Sequence, residues 1–200
     1  MSSKIEFLFD FASPNAYLSY YALSDIAKRF GRSVIITPVL LGGLFKLTNN
    51  QAPMVAFEGV KGKLEYEMLE SERFIVQHRL NRFRFNPHFP INTISLMRGF
   101  IAADQIGELD TYLKVSLAAM WENEINMGDF NIARNVWSEA GLDVEALTEL
   151  IQSQNIKDAL LANTREAAER GAFGIPTFFL GDEMFFGKER LIQIESKLRS

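Results

Sequence analysis

Apolar residues gather in a short run over residues 5–9, interrupted by Glu6 and closed by Asp10, and then return at helical spacing through Tyr17, Leu18, Tyr21, Ile26 and Phe30. The first pattern predicts a strand and the second a helix over 14–30. Gly31 stands where a glycine ends a helix. Residues 33–38, β-branched and bounded by Pro38, predict a second strand. A strand, a helix and a strand in so short a span predict a parallel βαβ unit.

From about Leu64 the pattern changes to long stretches of helical periodicity with almost no β-branched alternation. It predicts helices over 63–80, 93–106, 110–126, 129–140, 144–153 and 156–170. Their breaks fall at Asn86-Pro87-His88-Phe89-Pro90, Gly107, Gly128 and Gly141. After Gly171 the sheet pattern returns: 177–180 and 184–186 read as two strands joined by the two-residue turn Gly181-Asp182, followed by a helix over 188–198. The whole reads as one α/β unit in which a βαβ start and a ββα finish (1–40 and 171–200) bracket a large all-helical insertion (41–170). No repeat, low-complexity tract or linker divides it.

Composition narrows the chemistry. With 200 residues, 48% of them hydrophobic, the chain can bury about 70% of its unfolded surface and needs no staple to form a core. It has no cysteine, which removes thiol redox relay, a cysteine nucleophile and a thiolate metal site. The net charge of −4 argues against nucleic acid as a partner, because such affinity comes from clustered Lys and Arg. The first ten residues carry one Lys and a short apolar stretch broken by Glu6, unlike a signal peptide or an anchor. No apolar run reaches the roughly 20 residues that cross a bilayer, so a cytoplasmic protein is expected.

Two short segments stand out. Ser13-Pro14 is the ordinary grammar of a helix start, with Ser as N-cap and Pro at the first position; yet a hydroxyl there also points at free N–H groups and the positive end of the helix dipole, where an anion is attracted. Gly174-Ile175-Pro176-Thr177 places a proline directly before a strand, where no ladder donor is needed, leaving the peptide group of Ile175 free for another partner. By base rate an X–Pro bond is trans.

This order of elements, with Ser13-Pro14-Asn15-Ala16 where redox members carry Cys-x-x-Cys, resembles the DsbA-like, helix-inserted branch of the thioredoxin superfamily. Within it the chain resembles the 2-hydroxychromene-2-carboxylate isomerases, relatives of the kappa-class glutathione transferases. The match runs end to end through Phe9-Asp-Phe-Ala-Ser-Pro-Asn-Ala-Tyr-Leu18, Pro38-Val-Leu-Leu-Gly-Gly-Leu-Phe-Lys46, Asn50, Phe89-Pro90, Arg98 and, most specifically, residues 171–190. The resemblance implies bound glutathione, a helical domain completing a pocket for a small aromatic substrate, and a cis Ile175-Pro176 bond. It makes Ser13 the residue that donates to the glutathione sulfur and favours the thiolate, as helix N-termini do. It makes the backbone of Ile175, before Pro176, the edge that pairs with the cysteinyl unit like an added strand.

The resemblance places the γ-glutamyl end of glutathione at the turn Gly187-Lys188-Glu189-Arg190, where Glu189 stands in for the family's Asp. Lys46 and Lys63 match basic positions near the substrate and glutathione carboxylates; by themselves they read as solvated surface lysines. Asn50 keeps the pocket side chain, and Asn49 replaces the usual glycine with the residue that best tolerates a left-handed backbone. The implied activity is glutathione-dependent cis–trans isomerisation of an aromatic enone such as hydroxybenzylidene pyruvate, in aromatic catabolism: a thiolate adds to the conjugated carbon, the double bond becomes rotatable, and the thiol leaves. A kappa-like transferase shares this thiolate and keeps the adduct. The reading of another class is a non-catalytic thioredoxin-fold binding module in which Ser13 only caps a helix. Homodimers, common in the family, make a second copy of the chain a further candidate partner.

Other features read as structure. Arg79-Leu-Asn-Arg-Phe-Arg-Phe85 reads as a helix end packed by its phenylalanines rather than a stacking platform for single strands. His78 and His88 lack the clustered partners of a metal site, so no metal is expected. Trp121 and Trp137 read as core.

Overall fold

The first strand, β1 (Lys4–Phe9), runs parallel to β2 (Ser33–Pro38) and antiparallel to β3 (Thr177–Leu180), which pairs in turn with β4 (Glu183–Phe186), giving the order β2-β1-β3-β4. The N- and C-terminal pieces of the chain thus meet in one sheet, with Leu8 opposite Thr177 and Phe7 opposite Phe178. The computed structural model describes residues 4–199. Residues 1–3 and 200 of the expected core segments, and the first part of the stretch read as free of a leader, lie outside the described residues.

Helix α1 (Pro14–Arg29) connects β1 to β2 and ends at Phe30, with Gly31 at φ 59 accepting the left-handed turn. Two helices that the periodicity did not separate follow: α2 (Leu41–Thr48) and the single turn α3 (Pro53–Ala56). Helix α2 carries Gly42-Gly43, poor helix formers, in its first turn. It forms because Leu44 is buried and its neighbours on other elements hold it, Gly43 lying close enough to Thr164 that a Cβ would sit 3.2 Å from the threonine methyl.

The insertion continues with α4 (Lys63–His78), α5 (Ile94–Gln105), α6 (Leu109–Trp121), α7 (Phe130–Glu139), α8 (Val144–Gln152) and α9 (Gln154–Glu169). Helix α4 stops two residues before its periodicity does, because Arg79 turns left-handed (φ 56) and Leu80 N–H closes back on Ile75 O. Helix α6 ends five residues earlier than expected. The loop ahead of α5 captures its last carbonyls, Arg84 N–H donating to Trp121 O and Asn86 Nδ2 to Met120 O, and Asn86 Nδ2 also holds Ile125 O in the loop that follows. The phenylalanines of the Arg79–Phe85 stretch divide: Phe83 packs on Tyr17 and Trp121, while Phe85 is exposed and leans on Phe89 and Trp121.

Helix α9, though it belongs to the 41–170 segment, is stitched to the sheet. Asn163 Nδ2 donates to Pro38 O (3.1 Å), Thr164 Oγ1 accepts from Leu40 N–H (3.0 Å), and Arg170 just past its end grips Glu6 of β1 with two bonds while lying over the Phe179 ring. A 3-10 turn (Lys188–Arg190) leads into α10 (Leu191–Arg199), which packs on α1.

One core serves sheet and insertion. A file of rings runs Phe178, Phe7, Phe9, Phe11, Tyr112, Trp137, with successive centroids 4.9–6.1 Å apart. Its polar tips are satisfied: Tyr112 Oη donates to Leu96 O and Trp137 Nε1 to Ser116 Oγ, as buried Tyr and Trp require.

The tightest point in this core is Gly99 on α5, where a Cβ would lie 2.2 Å from the Tyr112 hydroxyl oxygen, itself fully buried. Gly99→Ala is expected to lower stability by about 1–3 kcal/mol, the usual range for overpacking, read as a lower urea midpoint at unchanged m-value. An unchanged midpoint would show that Tyr112 has room to move.

Candidate active site

The loop from β1 to α1 is only four residues, Asp10 to Ser13, and its shape is set by Asp10. The Asp10 Oδ1 accepts the Ala12 N–H (2.9 Å) and its carbonyl accepts the Ser13 N–H (3.1 Å), a local Asx turn. Ser13 then takes an extended backbone (φ −99, ψ 114) as N-cap of α1, its Oγ accepting the Ala16 N–H (3.2 Å), with Pro14 next. Its hydroxyl proton goes elsewhere: Ser13 Oγ donates to Ile175 O at 3.1 Å, across 162 residues of chain.

The segment that receives it is a comb of four carbonyls. Phe173 O accepts Asn50 Nδ2 (2.8 Å), Gly174 O accepts Thr177 Oγ1 (2.7 Å), Ile175 O accepts Ser13 Oγ, and Pro176 O accepts the Gly187 N–H (2.9 Å). The Ile175-Pro176 bond is cis, as is Phe89-Pro90. Residue 175 precedes the ladder of β3, and its N–H donates to no acceptor among the described residues. A cap hydroxyl, a helix N-terminus and a free backbone donor therefore meet at one place.

The same comb draws together other residues singled out in the sequence. Asn49 ends α2 in the left-handed region (φ 53), turning Asn50 toward Phe173. Lys46, on the last turn of α2, is exposed and its ammonium has no partner among the described residues. The Gly187 bond to Pro176 brings up the next turn, where Lys188 is 2% exposed and its Nζ bonds Glu189 Oε1 at 2.6 Å. Lys63, at the start of α4, is engaged with its own helix: Nζ meets Glu67 Oε1 (2.5 Å) and lies over the Phe57 ring.

Lys188 and Glu189 also border a cleft of about 530 Å³ between α1, α4 and α10, floored by Ile26, Phe74 and Leu191 and rimmed by charged pairs. Neither Ser13 nor Ile175 lines it. The comb, not the cleft, is where an unpaired backbone donor and a helix N-terminus coincide. His78, in the wall of the cleft, stacks on Phe74 with its ring pushed below the usual histidine range by burial.

Two residues near Ser13 escape a motif-based reading. Asp10 is completely buried, and desolvation raises its carboxyl from 3.8 to about 6 against the lowering effect of its bonds from Ala12, Leu41 and Thr93. The only hint in the sequence is an Asp three residues before a capping Ser. Glu122, just past α6, accepts from Tyr17 Oη (3.0 Å) and Tyr21 Oη (3.5 Å) and pairs with Arg82. Burial, with Glu122 beside them, pushes both phenols up, Tyr21 to about 12. Trp121 Nε1 donates to Phe11 O (3.0 Å), holding the loop before Ser13.

The Asp10 shift has a sign. Its folded value lies above the unfolded one, so the folded chain holds the proton between about pH 4 and 6. The group's contribution is present in full below pH 4 and is lost as pH rises through 6, by about 3 kcal/mol. Asp10→Asn is expected to remove that fall from the stability profile measured by urea unfolding between pH 4 and 7. Parallel profiles for the two proteins would contradict the burial of this carboxyl.

The architecture is found elsewhere. The chain is 28% identical over 196 residues to a 2-hydroxychromene-2-carboxylate isomerase from Pseudomonas putida, covering 97% of this chain and 93% of that protein. It is 25% identical over 198 residues to rat glutathione S-transferase kappa 1, covering 94% and 87%. A solved 2-hydroxychromene-2-carboxylate isomerase superimposes with a TM-score of 0.83 at 27% identity, covering 98% of this chain and 94% of that one. The profile of the DSBA-like thioredoxin domain matches residues 4–199, the full described length, and the chain belongs to that family.

Proposed function

We propose that the chain is a glutathione-dependent isomerase acting on an aromatic enone carboxylate of the 2-hydroxychromene-2-carboxylate kind, in the cytoplasm. The observation that carries this reading is the meeting of Ser13 Oγ, at the N-terminus of α1, with the Ile175 peptide, whose N–H has no protein partner. The similarity to isomerases over nearly the whole chain supports it.

The residues fit glutathione. The Ile175 N–H offers the free edge that an extended cysteinyl backbone needs. The sulfur then lies at the α1 N-terminus, where the Ser13 hydroxyl turns from Ile175 O toward it and, with the helix dipole, favours its ionised form. Asn50, tied to Phe173, closes the pocket beside this edge. Glu189, held by the buried Lys188, presents a carboxylate to the γ-glutamyl ammonium, while Lys188 supplies the compensating charge. Lys63 faces the tripeptide's carboxylate in competition with Glu67, so its contribution is smaller than that of an unpaired lysine. Lys46, unpaired and exposed on α2, holds the substrate carboxylate.

When bound, glutathione supplies a thiolate nucleophile, the group whose reversible addition lets an enone double bond rotate. The protein's part is to hold that sulfur ionised at Ser13, orient the anionic substrate through Lys46, and keep both on one side of the sheet end. A kappa-type transferase is the second reading, favoured by the similarity to the rat enzyme; it uses the same residues and differs in retaining the adduct. A second copy of the chain is the proposed partner in solution.

Glutathione is expected to raise the melting temperature, as a ligand of the native state must, and enone isomerisation, followed by absorbance, is expected to require it. No thermal shift and no glutathione-dependent turnover would leave a binding module of the same fold. Lys46→Ala is expected to raise KM for the aromatic acid about tenfold or more, the scale of one hydrogen bond to a charged group, with glutathione affinity unchanged; unaltered kinetics would make Lys46 a surface residue. Ser13→Ala should lose about 0.5–2 kcal/mol of stability with its cap yet fold. The ultraviolet thiolate band of bound glutathione should titrate at higher pH in this variant, with turnover reduced. Superimposable titrations and retained turnover would leave Ser13 a cap alone.

A further inference from the structure

Asp10 accepts hydrogen bonds from three separate parts of the chain. Oδ1 takes the Ala12 N–H of the Ser13 loop (2.9 Å) and the Thr93 hydroxyl at the start of α5 (2.7 Å); Oδ2 takes the Leu41 N–H at the start of α2 (2.7 Å). Its own carbonyl takes the Ser13 N–H. Leu41 opens the helix that carries Lys46 and leads to Asn50.

The group is 0% exposed and has no ion pair among the described residues. From α5 it faces Thr93, from α2 the Leu41 amide, and from its own loop the Ala12 amide; no charged side chain contributes to its titration. A buried carboxylate without a cation works against folding, and such groups are retained where function needs them. The chemistry of the donors explains the residue type. Three donors arrive on two oxygens, which a carboxylate accepts without presenting a proton, whereas an amide or a protonated carboxyl must aim a donor at a donor.

We infer that Asp10 is a positioning residue for the proposed reaction: its carboxylate clamps the Ser13 turn to the starts of α2 and α5, and so sets where the sulfur-holding hydroxyl stands relative to Lys46 and Asn50. The inference rests on the glutathione-dependent reading for its kinetic consequence but not for the clamp itself. Substrate and sulfur sit on different elements, α2 and the α1 loop, and the Asp10 side chain spans the two directly. Protonation removes one acceptor position and loosens the clamp, so the bonds from Ala12, Leu41 and Thr93 lower the carboxyl's value against the desolvation that raises it.

The test compares wild type with Asp10→Asn, Thr93→Val and Leu41→Pro. The last removes the Leu41 donor along with a leucine side chain that packs partly buried against the core, and the backbone accepts it, because Leu41 is the first residue of α2, where proline is tolerated, and Leu40 before it is already extended (φ −89, ψ 109). Asp10→Asn is expected to lower kcat/KM for the aromatic acid about tenfold, the scale of one lost bond to a charged acceptor, and to move the thiolate titration of bound glutathione upward. Thr93→Val is expected to fall between, and the Asp10→Asn/Thr93→Val double variant to be no worse than Asp10→Asn, since both act through one group.

A merely structural role would lower the melting temperature while leaving KM, kcat and thiolate titration of the folded protein at wild-type values, and that result overturns the inference. Additive losses in the double variant overturn it too. Should Asp10→Asn fail to fold, Thr93→Val and Leu41→Pro carry the same comparison. Amide hydrogen exchange needs no ligand: Ser13 and Leu41 should exchange faster together in Asp10→Asn and in Thr93→Val. Unchanged protection at both sinks the clamp even if the enzyme uses glutathione, whereas faster exchange in a protein inert toward glutathione sinks the functional reading and leaves the clamp standing.

Discussion

Of the four consecutive backbone carbonyls from Phe173 to Pro176, the last three belong to buried residues, and each of these must find a donor because a buried unpaired carbonyl is unfavourable. The donors come from four places: Asn50 beyond α2, Thr177 at the start of β3, Ser13 at the start of α1, and Gly187 beyond β4. Satisfying this one stretch therefore brings both ends of the chain and the first part of the insertion to a single point. The candidate site is where they converge, and the donor left over there is the Ile175 N–H.

Around that point the protein separates its charges by burial. Asp10 is enclosed and held by neutral donors, Lys188 is enclosed and held by Glu189, and Lys46 is left in solvent. The two buried groups thus fix backbone and partner positions, and the free one is available to a ligand. The Tyr17 and Tyr21 hydroxyls on Glu122 pin the same helix that Ser13 caps, so α1 is held along its first two turns as well as at its tip.

Rigidity is carried to the sheet by aromatic packing. The file of rings from Phe178 to Trp137 runs through β1 into the insertion, and Trp121 reaches back to the Phe11 carbonyl. The insertion is accordingly continuous with the core beneath the site, and a shift of the helices relative to the sheet would have to break this file.

The sequence by itself determined the elements and their order, because those follow from local physics: period-two and period-3.6 patterns, a Ser-Pro helix start, a Gly-Asp turn. It also pointed to Ser13 and to the Ile175 peptide, whose residue types carry a local signature at a helix start and before a strand. What only the tertiary structure decided is which donors meet which acceptors across the chain. That Ser13 faces Ile175 rather than solvent and that Asp10 gathers Thr93 and Leu41 depend on contacts between residues far apart in sequence. No periodicity encodes such pairings. The end of α6 moved for the same reason, since Arg84 and Asn86 supplied donors to carbonyls that a local pattern would have left to the next turn of helix, whereas α4 stops at a local left-handed cap at Arg79.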